Sequence, residues 1–509
     1  MATEQLEHIV TELRESLSAL SREVVALRAT CEKQAAQIAA LREENQALRE
    51  ENGALKAENA RLREENANLR ARVAVLEERA GRNAKNSHKP SSSEAPWNRS
   101  KRSKKTGKGK RDKRKGSGTN RKLVPASQVD ETVDHRPTCC EECGCLLSGE
   151  DPSPRRKQVV EPPEPRPIVT EHRAHSLKCP DCGHVTKAPM PREALASSFG
   201  SRTHGWLSWL TGSGITTKRA ARKVMKEFCG ISMSLGTVNA IEGRVSRGAK
   251  DAYDEAVAAA RSSPVVGVDE TPWIQGGKLM WMWTMVAPAA KVVVFHIQNR
   301  RNTDAARALL GADFEGTICT DRYSAYNVFP ERGLCWAHLL RNFTAMAQRP
   351  GGEWYGQRLR ASALRIMHAW YDWRAGEMDE DTMRSEIDKD RKRIAYVLRV
   401  AIEGAASERT RRQAAALQSQ FDQLWTFLDT PGMEPTNNAS ERALRRAVLI
   451  RKRGDGTRGP DGSRYIERML TIVETLRLQP ERRTPNFLAE LYAASVNQLP
   501  APSLLPQTC

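Results

Sequence analysis

Three acidic residues occupy positions at which carboxylates commonly bind metal ions. Asp269 follows the apolar run 265–268, and Asp321 follows the apolar run 317–320. Glu441 lies in a stretch with helical spacing. Carboxylate oxygens are the ligands that Mg²⁺ prefers, and two divalent ions can stabilise the attacking and leaving oxygens of an in-line phosphodiester reaction. Because the chain has 62 acidic residues, only the ordered set is informative, and it predicts phosphodiester cleavage with two Mg²⁺ or Mn²⁺ ions as cofactors.

Two Cys-x-x-Cys-Gly motifs indicate a metal site of a different kind. The first contains Cys140 and Cys143, and the second contains Cys179 and Cys182. Tetrahedral Zn²⁺ takes four thiolates, and the glycine after each pair lets the chain turn beneath the sulfur atoms. The extended, proline-containing sequence between the motifs favours a zinc ribbon with a structural ion. Further cysteines flank the first pair, which leaves open which sulfurs bind, and the ribbon has either a DNA-contacting or a purely structural role.

The positive charge is concentrated in one segment. The 509 residues carry 81 Lys and Arg against 62 Asp and Glu, a net charge of +19. Residues 99–122 alone contribute +12, from thirteen cations and one aspartate. This segment is expected to be disordered and to neutralise DNA phosphates without reading bases, a plain basic linker being the alternative. The predicted DNA contacts are Lys101, Arg102, Lys104, Lys105, Lys108, Lys110, Arg111, Lys113, Arg114 and Lys115, with Arg442 and Arg445 after the third acid.

The hydrophobic pattern predicts the elements that must position the acids. An acid after the first and the fourth strand, with a third acid on a later helix, is the order of a ribonuclease H-like fold. The helix that carries Glu441 could be capped by Asn438 or Ser440. The predicted strands are 265–273, 280–286 and 291–297 at hairpin spacing, then 317–320 after a helix at 302–310.

The N-terminal segment contains a heptad repeat. Leucine recurs at every seventh position from Leu6 to Leu76, with Gln34 as the exception. Four successive asparagines, from Asn45 to Asn66, occupy the second seam position. This pattern is typical of a parallel two-stranded coiled coil. It predicts a homodimer or a larger assembly, with a solitary long helix as the alternative.

Together these patterns predict a multi-domain protein. It combines an N-terminal parallel coiled coil, a zinc ribbon, a helical DNA-binding segment and an α/β ribonuclease H-like catalytic domain with a helical insertion. In the helical segment, two basic helices on either side of Gly230 resemble a helix-turn-helix, although many such pairs do not contact DNA. The segments are a coiled coil at 1–80, a basic disordered linker at 81–125, a zinc-binding ribbon at 126–190, the helix-turn-helix-like segment at 191–262, the first part of the catalytic core at 263–346, the helical insertion at 347–430, the final core helix with the third acid at 431–478, and a C-terminal tail at 479–509.

The sequence also argues against several classes of protein. No run of about 18 apolar residues occurs, which excludes a transmembrane helix. The N-terminus is acidic and lacks the apolar core of a signal peptide. Eleven cysteines in 509 residues are too few for a secreted disulfide scaffold. We therefore expect a cytoplasmic protein without a membrane partner.

Five stretches of the sequence resemble one family. With the leucine-rich N-terminus and the cysteine motifs, they make nearly the whole chain similar to the DDE transposases of the insertion-sequence-66 type. The stretches are 86–92 (Asn-Ser-His-Lys-Pro-Ser-Ser), 263–273 (Ser-Pro-Val-Val-Gly-Val-Asp-Glu-Thr-Pro-Trp), 321–327 (Asp-Arg-Tyr-Ser-Ala-Tyr-Asn), 335–338 (Cys-Trp-Ala-His) and 437–442 (Asn-Asn-Ala-Ser-Glu-Arg).

The resemblance implies a function, and a protein associated with the nucleoid of a bacterial cell. It places the family's three metal-binding acids on Asp269, Asp321 and Glu441. It implies that the protein binds the terminal inverted repeats of an insertion sequence, nicks double-stranded DNA there and transfers the freed 3′-hydroxyl to target DNA, with accessory transposition proteins as further partners. A DNA-binding regulator with an inactive nuclease-like core is the first alternative, and a nuclease for RNA or hybrids is the second.

Overall fold

The computed structural model describes residues 2–80, 123–162, 164 and 166–506. It divides into two units, Met1–Ala84 and Lys85–Cys509. The predicted basic segment at 99–122, with its ten predicted DNA contacts from Lys101 to Lys115, lies outside the described residues. The stretch 86–92 lies outside them as well.

The first unit is formed by one long helix, α1 (Ala2–Ala80). No proline interrupts this stretch, and its one glycine is Gly53. The seam leucines from Leu6 to Leu76 are each between 44% and 63% exposed. Side chains seven residues apart lie on the same face of a helix. The leucines therefore form one apolar stripe, which α1 alone cannot bury. The helical N-terminal region is confirmed, and its pairing with a second copy stays a prediction.

Small elements open the second unit. Strands β1 (Ser176–Lys178) and β2 (Val185–Lys187) form an antiparallel hairpin. In the helices that follow, Thr217 and Ser234 each cap a helix by accepting a backbone hydrogen bond. Gly230 ends the first of these two helices with a φ of 67°, a left-handed conformation that suits glycine. The helices are α2 (Arg192–Ala196), α3 (Ser201–Gly212), α4 (Lys218–Cys229), α5 (Leu235–Gly248) and α6 (Lys250–Arg261).

A five-stranded mixed sheet forms the centre of the second unit. Its elements are β3 (Val265–Gln275), β4 (Lys278–Ala287), β5 (Val292–Gln298), the helix α7 (Thr303–Leu310), β6 (Thr317–Thr320) and β7 (Arg332–Leu334). The spatial order of the strands is β5, β4, β3, β6 and β7. The first three along the chain are antiparallel, whereas β6 pairs in parallel with both β3 and β7. The predicted succession of three antiparallel strands, a helix and a fourth strand is therefore present.

Helices make up most of the described chain after β7. The helices α9 to α12 occupy the predicted insertion and, together with α8, bury a core that contains Trp336, Trp370 and Trp425. No described helix has an apolar stretch of the length that a bilayer requires. The helices are α8 (Trp336–Ala347), α9 (Glu353–Arg374), α10 (Glu380–Gly404), α11 (Glu408–Gln418), α12 (Thr426–Asp429), α13 (Asn438–Gly454), α14 (Pro460–Arg477) and α15 (Thr484–Asn497).

The C-terminal segment contains a helix, α15, that packs into the second unit. The helix α15 packs on α3 and α5. Leu488, Leu491 and Tyr492 are buried in the same core as the sheet, and the ring of Tyr492 stacks on that of His204 with 3.6 Å between centroids. Apolar residues three and four positions apart create this buried face. The segment therefore belongs to the core of the second unit.

Side chains of α14 cover the free edge of the sheet. At the edge strand β5, the backbone N–H groups of alternate residues donate hydrogen bonds to side chains of α14 that are four residues apart. The pairs are Val293 with Thr475 Oγ1 (3.0 Å), Phe295 with Thr471 Oγ1 (3.0 Å) and Ile297 with Glu467 Oε1 (2.5 Å). Two strand residues advance about 6.6 Å and four helical residues about 6.0 Å, so the two spacings match. Polar helix side chains thus replace a sixth strand.

Glu467 makes the stability of this arrangement depend on pH. Burial raises the pKa of its carboxyl group from 4.5 to about 7. Between these values the folded protein holds a proton that the unfolded chain has lost, so stability falls as the pH rises through this range. In a Glu467→Gln variant, the amide oxygen still accepts the Ile297 hydrogen bond but does not titrate.

We expect the wild type to lose about 1–3 kcal/mol more stability than Glu467→Gln between about pH 5 and about pH 8. Melting temperatures at the two pH values measure the difference. Glu490→Gln, at an exposed position of α15, is the matched control and should follow the wild type. An equal fall in melting temperature for Glu467→Gln and the wild type would show that Glu467 ionises normally.

Candidate active site

The pairing of β3 with β6 aligns two of the predicted metal ligands. The strands are parallel, and Gly267 lies opposite Cys319. Continued by two residues, this register would set Asp269 against Asp321, which directly follows β6. The charge of Asp321 raises the pKa of Asp269, so the two carboxylates are close enough to interact.

The start of α13 brings Glu441 towards these aspartates. The side-chain amide of Asn437 donates to the carbonyl of Val268, 2.7 Å away, in the middle of β3. The expected cap by Asn438 or Ser440 is not formed, because Asn437 occupies the cap position and no side chain caps this helix. The amide of Asn437 therefore fixes the helix to the strand rather than capping its own backbone, and Glu441 follows one turn later.

Gly267 allows α13 to approach β3 closely. A Cβ atom at this position would collide with Oδ1 of Asn437 and Oγ of Ser440. The absence of a side chain at Gly267 thus explains how a helix can lie against the middle of a strand. The same close approach places the first turn of α13 next to the residues that precede Asp269.

The three acids create a local excess of negative charge. Burial raises the pKa of Asp269 well above its usual range, and the charges of Glu270, Asp321 and Glu441 raise it further. Oε1 of Glu441 is buried and accepts no hydrogen bond from the described residues. Carboxylates held together in a desolvated site are stabilised by a cation, and oxygen donors fit Mg²⁺ or Mn²⁺.

The fourth acid, Glu270, is neutralised within the fold. Only 2% of its side chain is exposed, and it forms an ion pair with Arg301 at 2.6 Å. The hydroxyl of Tyr326 donates to its second oxygen. Burial raises the pKa of Glu270, while the Tyr326 hydrogen bond lowers it. Sequence analysis did not identify this cluster, for which the one sequence signal is the acid next to Asp269.

Arg332, in β7, holds the end of β6 in place. Its buried guanidinium donates to Thr320 Oγ1 (2.9 Å), to Asn327 Oδ1 (2.7 Å) and to the backbone carbonyl of Asp321 (2.5 Å). Burial lowers the pKa of Arg332 to about 10, so the side chain stays charged at neutral pH. This positioning residue was also missed, because one arginine in a short strand forms no recognisable pattern.

Three residues from the start of α8 lie beside Glu441. His338 Nδ1 is 3.7 Å from Glu441 Oε1, and Arg341 Nη2 is 3.5 Å from Oε2. Cys335, immediately before the helix, accepts a hydrogen bond at Sγ from the backbone N–H of Asn437 (3.2 Å). Burial raises the pKa of the Cys335 thiol to about 11. The third acid, which α13 carries, is therefore in contact with α8.

The two cysteine motifs adopt matching turns. In each, the glycine has a positive φ, 73° at Gly144 and 74° at Gly183, and its N–H donates to the carbonyl of the first cysteine at 3.0 Å. Backbone N–H groups within the turns lower the pKa values of Cys140 and Cys179. Among the described residues, the sulfurs of Cys140, Cys143, Cys179 and Cys182 do not all lie within 4.8 Å of one another. Their joint binding of Zn²⁺ stays a prediction.

Basic residues lie on α13 and around a cavity beside its last turn. Arg442 and Arg445, both predicted DNA contacts, are exposed on the helix. A cavity of about 730 Å³ lies beside the last turn of α13, away from the three acids, and its lining includes Lys218, Arg453 and Arg458. Lys218 is paired with the buried Glu242 at 2.6 Å. Arg442 and Arg445 are thus exposed on the same helix as Glu441.

Gly267→Ala should separate α13 from β3. The added methyl group meets Asn437 and Ser440, and overpacking of this kind costs about 1–3 kcal/mol, so we expect a lower melting temperature. Gly462→Ala is the matched control, because its Cβ would meet Thr457 at an ordinary 3.5 Å and alanine favours the helix. Melting curves of both variants test the contact, and a Gly267→Ala protein as stable as Gly462→Ala would contradict it.

Comparison with known proteins supports the resemblance seen in the sequence. No curated protein matches the chain. The model of the family described as Transposase IS66 family matches residues 206–464, about half of the chain. The match begins in α3, ends in α14 and includes the whole sheet and all three acids. The chain belongs to the IS66 family, a family of DDE transposases.

Proposed function

We propose that the chain is an active DNA transposase with Asp269, Asp321 and Glu441 as its catalytic acids. The parallel pairing of β3 with β6, whose register aligns the two aspartates when it is continued by two residues, is the observation that supports this proposal. The order of the five strands supports a ribonuclease H-like core. The acids would hold two Mg²⁺ or Mn²⁺ ions, which would stabilise the charge that develops during DNA cleavage and strand transfer.

The chain's own residues would orient the reacting DNA. Asp269 and Asp321 have short side chains; Asp269 lies within β3 and Asp321 directly follows β6, so little conformational freedom is left to them. Glu441 reaches the same place on a longer side chain from a helix. The exposed Arg442 and Arg445, on the same helix, would bind phosphates on either side of the scissile bond. Binding and cleavage would thus be coupled through α13.

Other segments would recognise and hold the DNA. The pair α4 and α5, joined by a short turn after Gly230, resembles a helix-turn-helix and would read the ends of the element. A zinc ribbon built on the cysteine motifs would support this contact, and the basic segment 99–122 would add affinity without sequence preference. The leucine seam of α1 would join two copies in a parallel coiled coil, so that both ends of an element are held together.

Asp269→Asn should bind element ends but not cut them. The amide keeps the size of the side chain and removes the charge that holds the cation. We expect cleavage in Mg²⁺ to fall by more than about 100-fold, because even residues that only support a metal ligand cost 10–100-fold. Asp313→Asn, on an exposed loop, is the matched control and should cut like the wild type. Labelled element ends report binding and cutting in one assay. Binding without cutting by the wild type itself would instead favour the inactive regulator.

Replacement of residues 99–122 by an uncharged Gly-Ser segment of equal length should weaken the salt dependence of DNA binding. Each phosphate contact that is lost reduces the slope of log affinity against log salt by about 0.9. Because the segment carries thirteen cations, we expect a reduction of several units, measured by fluorescence anisotropy over a range of salt concentrations. Equal length keeps the spacing of the flanking segments as the control. An unchanged slope would exclude a phosphate-binding role.

A further inference from the structure

Cys335, His338 and Glu441 place three different ligand atoms together. Cys335 immediately precedes α8, His338 lies in the first turn of α8, and Glu441 lies in the first turn of α13. One ligand atom of each residue lies within 4.8 Å of the other two. The group depends on the packing of two helices that are about a hundred residues apart in the sequence.

The separation between these atoms suits ligands of one ion better than hydrogen-bonded partners. His338 Nδ1 and Glu441 Oε1 are 3.7 Å apart, which is too long for a hydrogen bond. A nitrogen and an oxygen ligand of a tetrahedral Zn²⁺, at bond lengths of about 2.0–2.2 Å, lie about 3.3–3.6 Å apart. A shift of a few tenths of an ångström would therefore bring the nitrogen and the oxygen into coordination.

The chemistry of the three donors differs from that of the acids nearby. Asp269 and Asp321 offer hard oxygen atoms, which suit Mg²⁺. A thiolate, an imidazole and a single carboxylate form a softer set, which selects Zn²⁺ or a similar ion. The backbone N–H of Asn437 already donates to Cys335 Sγ at 3.2 Å, and such a bond stabilises a metal-bound thiolate.

We propose that Cys335, His338 and Glu441 form a binding site for Zn²⁺ or a similar soft divalent ion, separate from the predicted ribbon. On binding, the thiol of Cys335 releases its proton to solvent as the sulfur–metal bond forms. Three protein ligands leave one tetrahedral position for water. Glu441 then belongs to two sites with opposite metal preferences.

Because Glu441 belongs to both sites, a bound Zn²⁺ ion should inhibit DNA cleavage. This consequence rests on the proposed function. A Zn²⁺ ion held by Cys335 and His338 draws the carboxylate of Glu441 away from Asp269 and Asp321. The hard-metal site then lacks its third acid. Zinc should therefore suppress Mg²⁺-dependent cleavage without displacing DNA.

Zinc titration of the full chain against a chromophoric chelator tests the site. The wild type is compared with Cys335→Ser, His338→Gln and the matched control Cys319→Ser, which alters another buried cysteine that lies outside the group. We expect the first two variants to bind one Zn²⁺ fewer, or to bind it more than about 10-fold more weakly, and Cys319→Ser to match the wild type. Melting curves verify folding, and if Cys335→Ser does not fold, His338→Gln decides the result.

Equal zinc stoichiometry and affinity in all four proteins would overturn the proposed site. Added Zn²⁺ should then inhibit cleavage in Mg²⁺ for the wild type and Cys319→Ser, and should inhibit it less for His338→Gln. A lost zinc site with unaltered inhibition would overturn the shared role of Glu441. If no protein cuts DNA under any condition, the proposed catalysis fails, whereas the zinc titration still decides the metal site.

Discussion

The parallel pairing of β3 with β6 is the constraint on which the proposed catalytic centre depends. A slip of one residue would turn Asp321 to the opposite face of the sheet, and a slip of two would displace it by about 6.6 Å. β6 has only four residues, so its own ladder of hydrogen bonds is short. The three hydrogen bonds from Arg332 add contacts that hold the end of this short strand in place. The alignment of the acids thus depends on a buried guanidinium group.

Collecting acids in one place opposes folding, and the surrounding structure offsets that cost. Arg301 and Tyr326 neutralise Glu270, which leaves the remaining charge on the three residues proposed to bind metal. Asn437 fixes α13 to β3 through one hydrogen bond, and Gly267 removes the atom that would prevent it. A centre of this kind is less stable empty than filled, because binding of a cation removes the repulsion.

The succession of strands along the chain could be predicted because it is encoded locally, and the candidate acids were chosen from the same local pattern. An apolar run followed by an aspartate is visible without knowledge of the fold, as are the turns after Cys140 and Cys179. The remaining contacts join residues far apart in the sequence, such as Glu467 and Ile297, 170 positions from each other. Threonines at helical spacing in α14 give no sign that they face an edge strand. The short apolar pattern of α15 gives equally little sign that it completes a core.

The coverage of β5 by α14 limits how the protein can assemble. An exposed edge strand is a template on which another chain can extend the sheet. Here the outward N–H groups are already bonded to Thr475, Thr471 and Glu467. At the other edge, β7 has only three residues, and Thr426 donates to the carbonyl of Arg332 there. Extension of the sheet by another chain is therefore blocked at β5 and confined to a very short strand at β7. Side chains of helices and loops must then largely determine which molecules bind to the second unit.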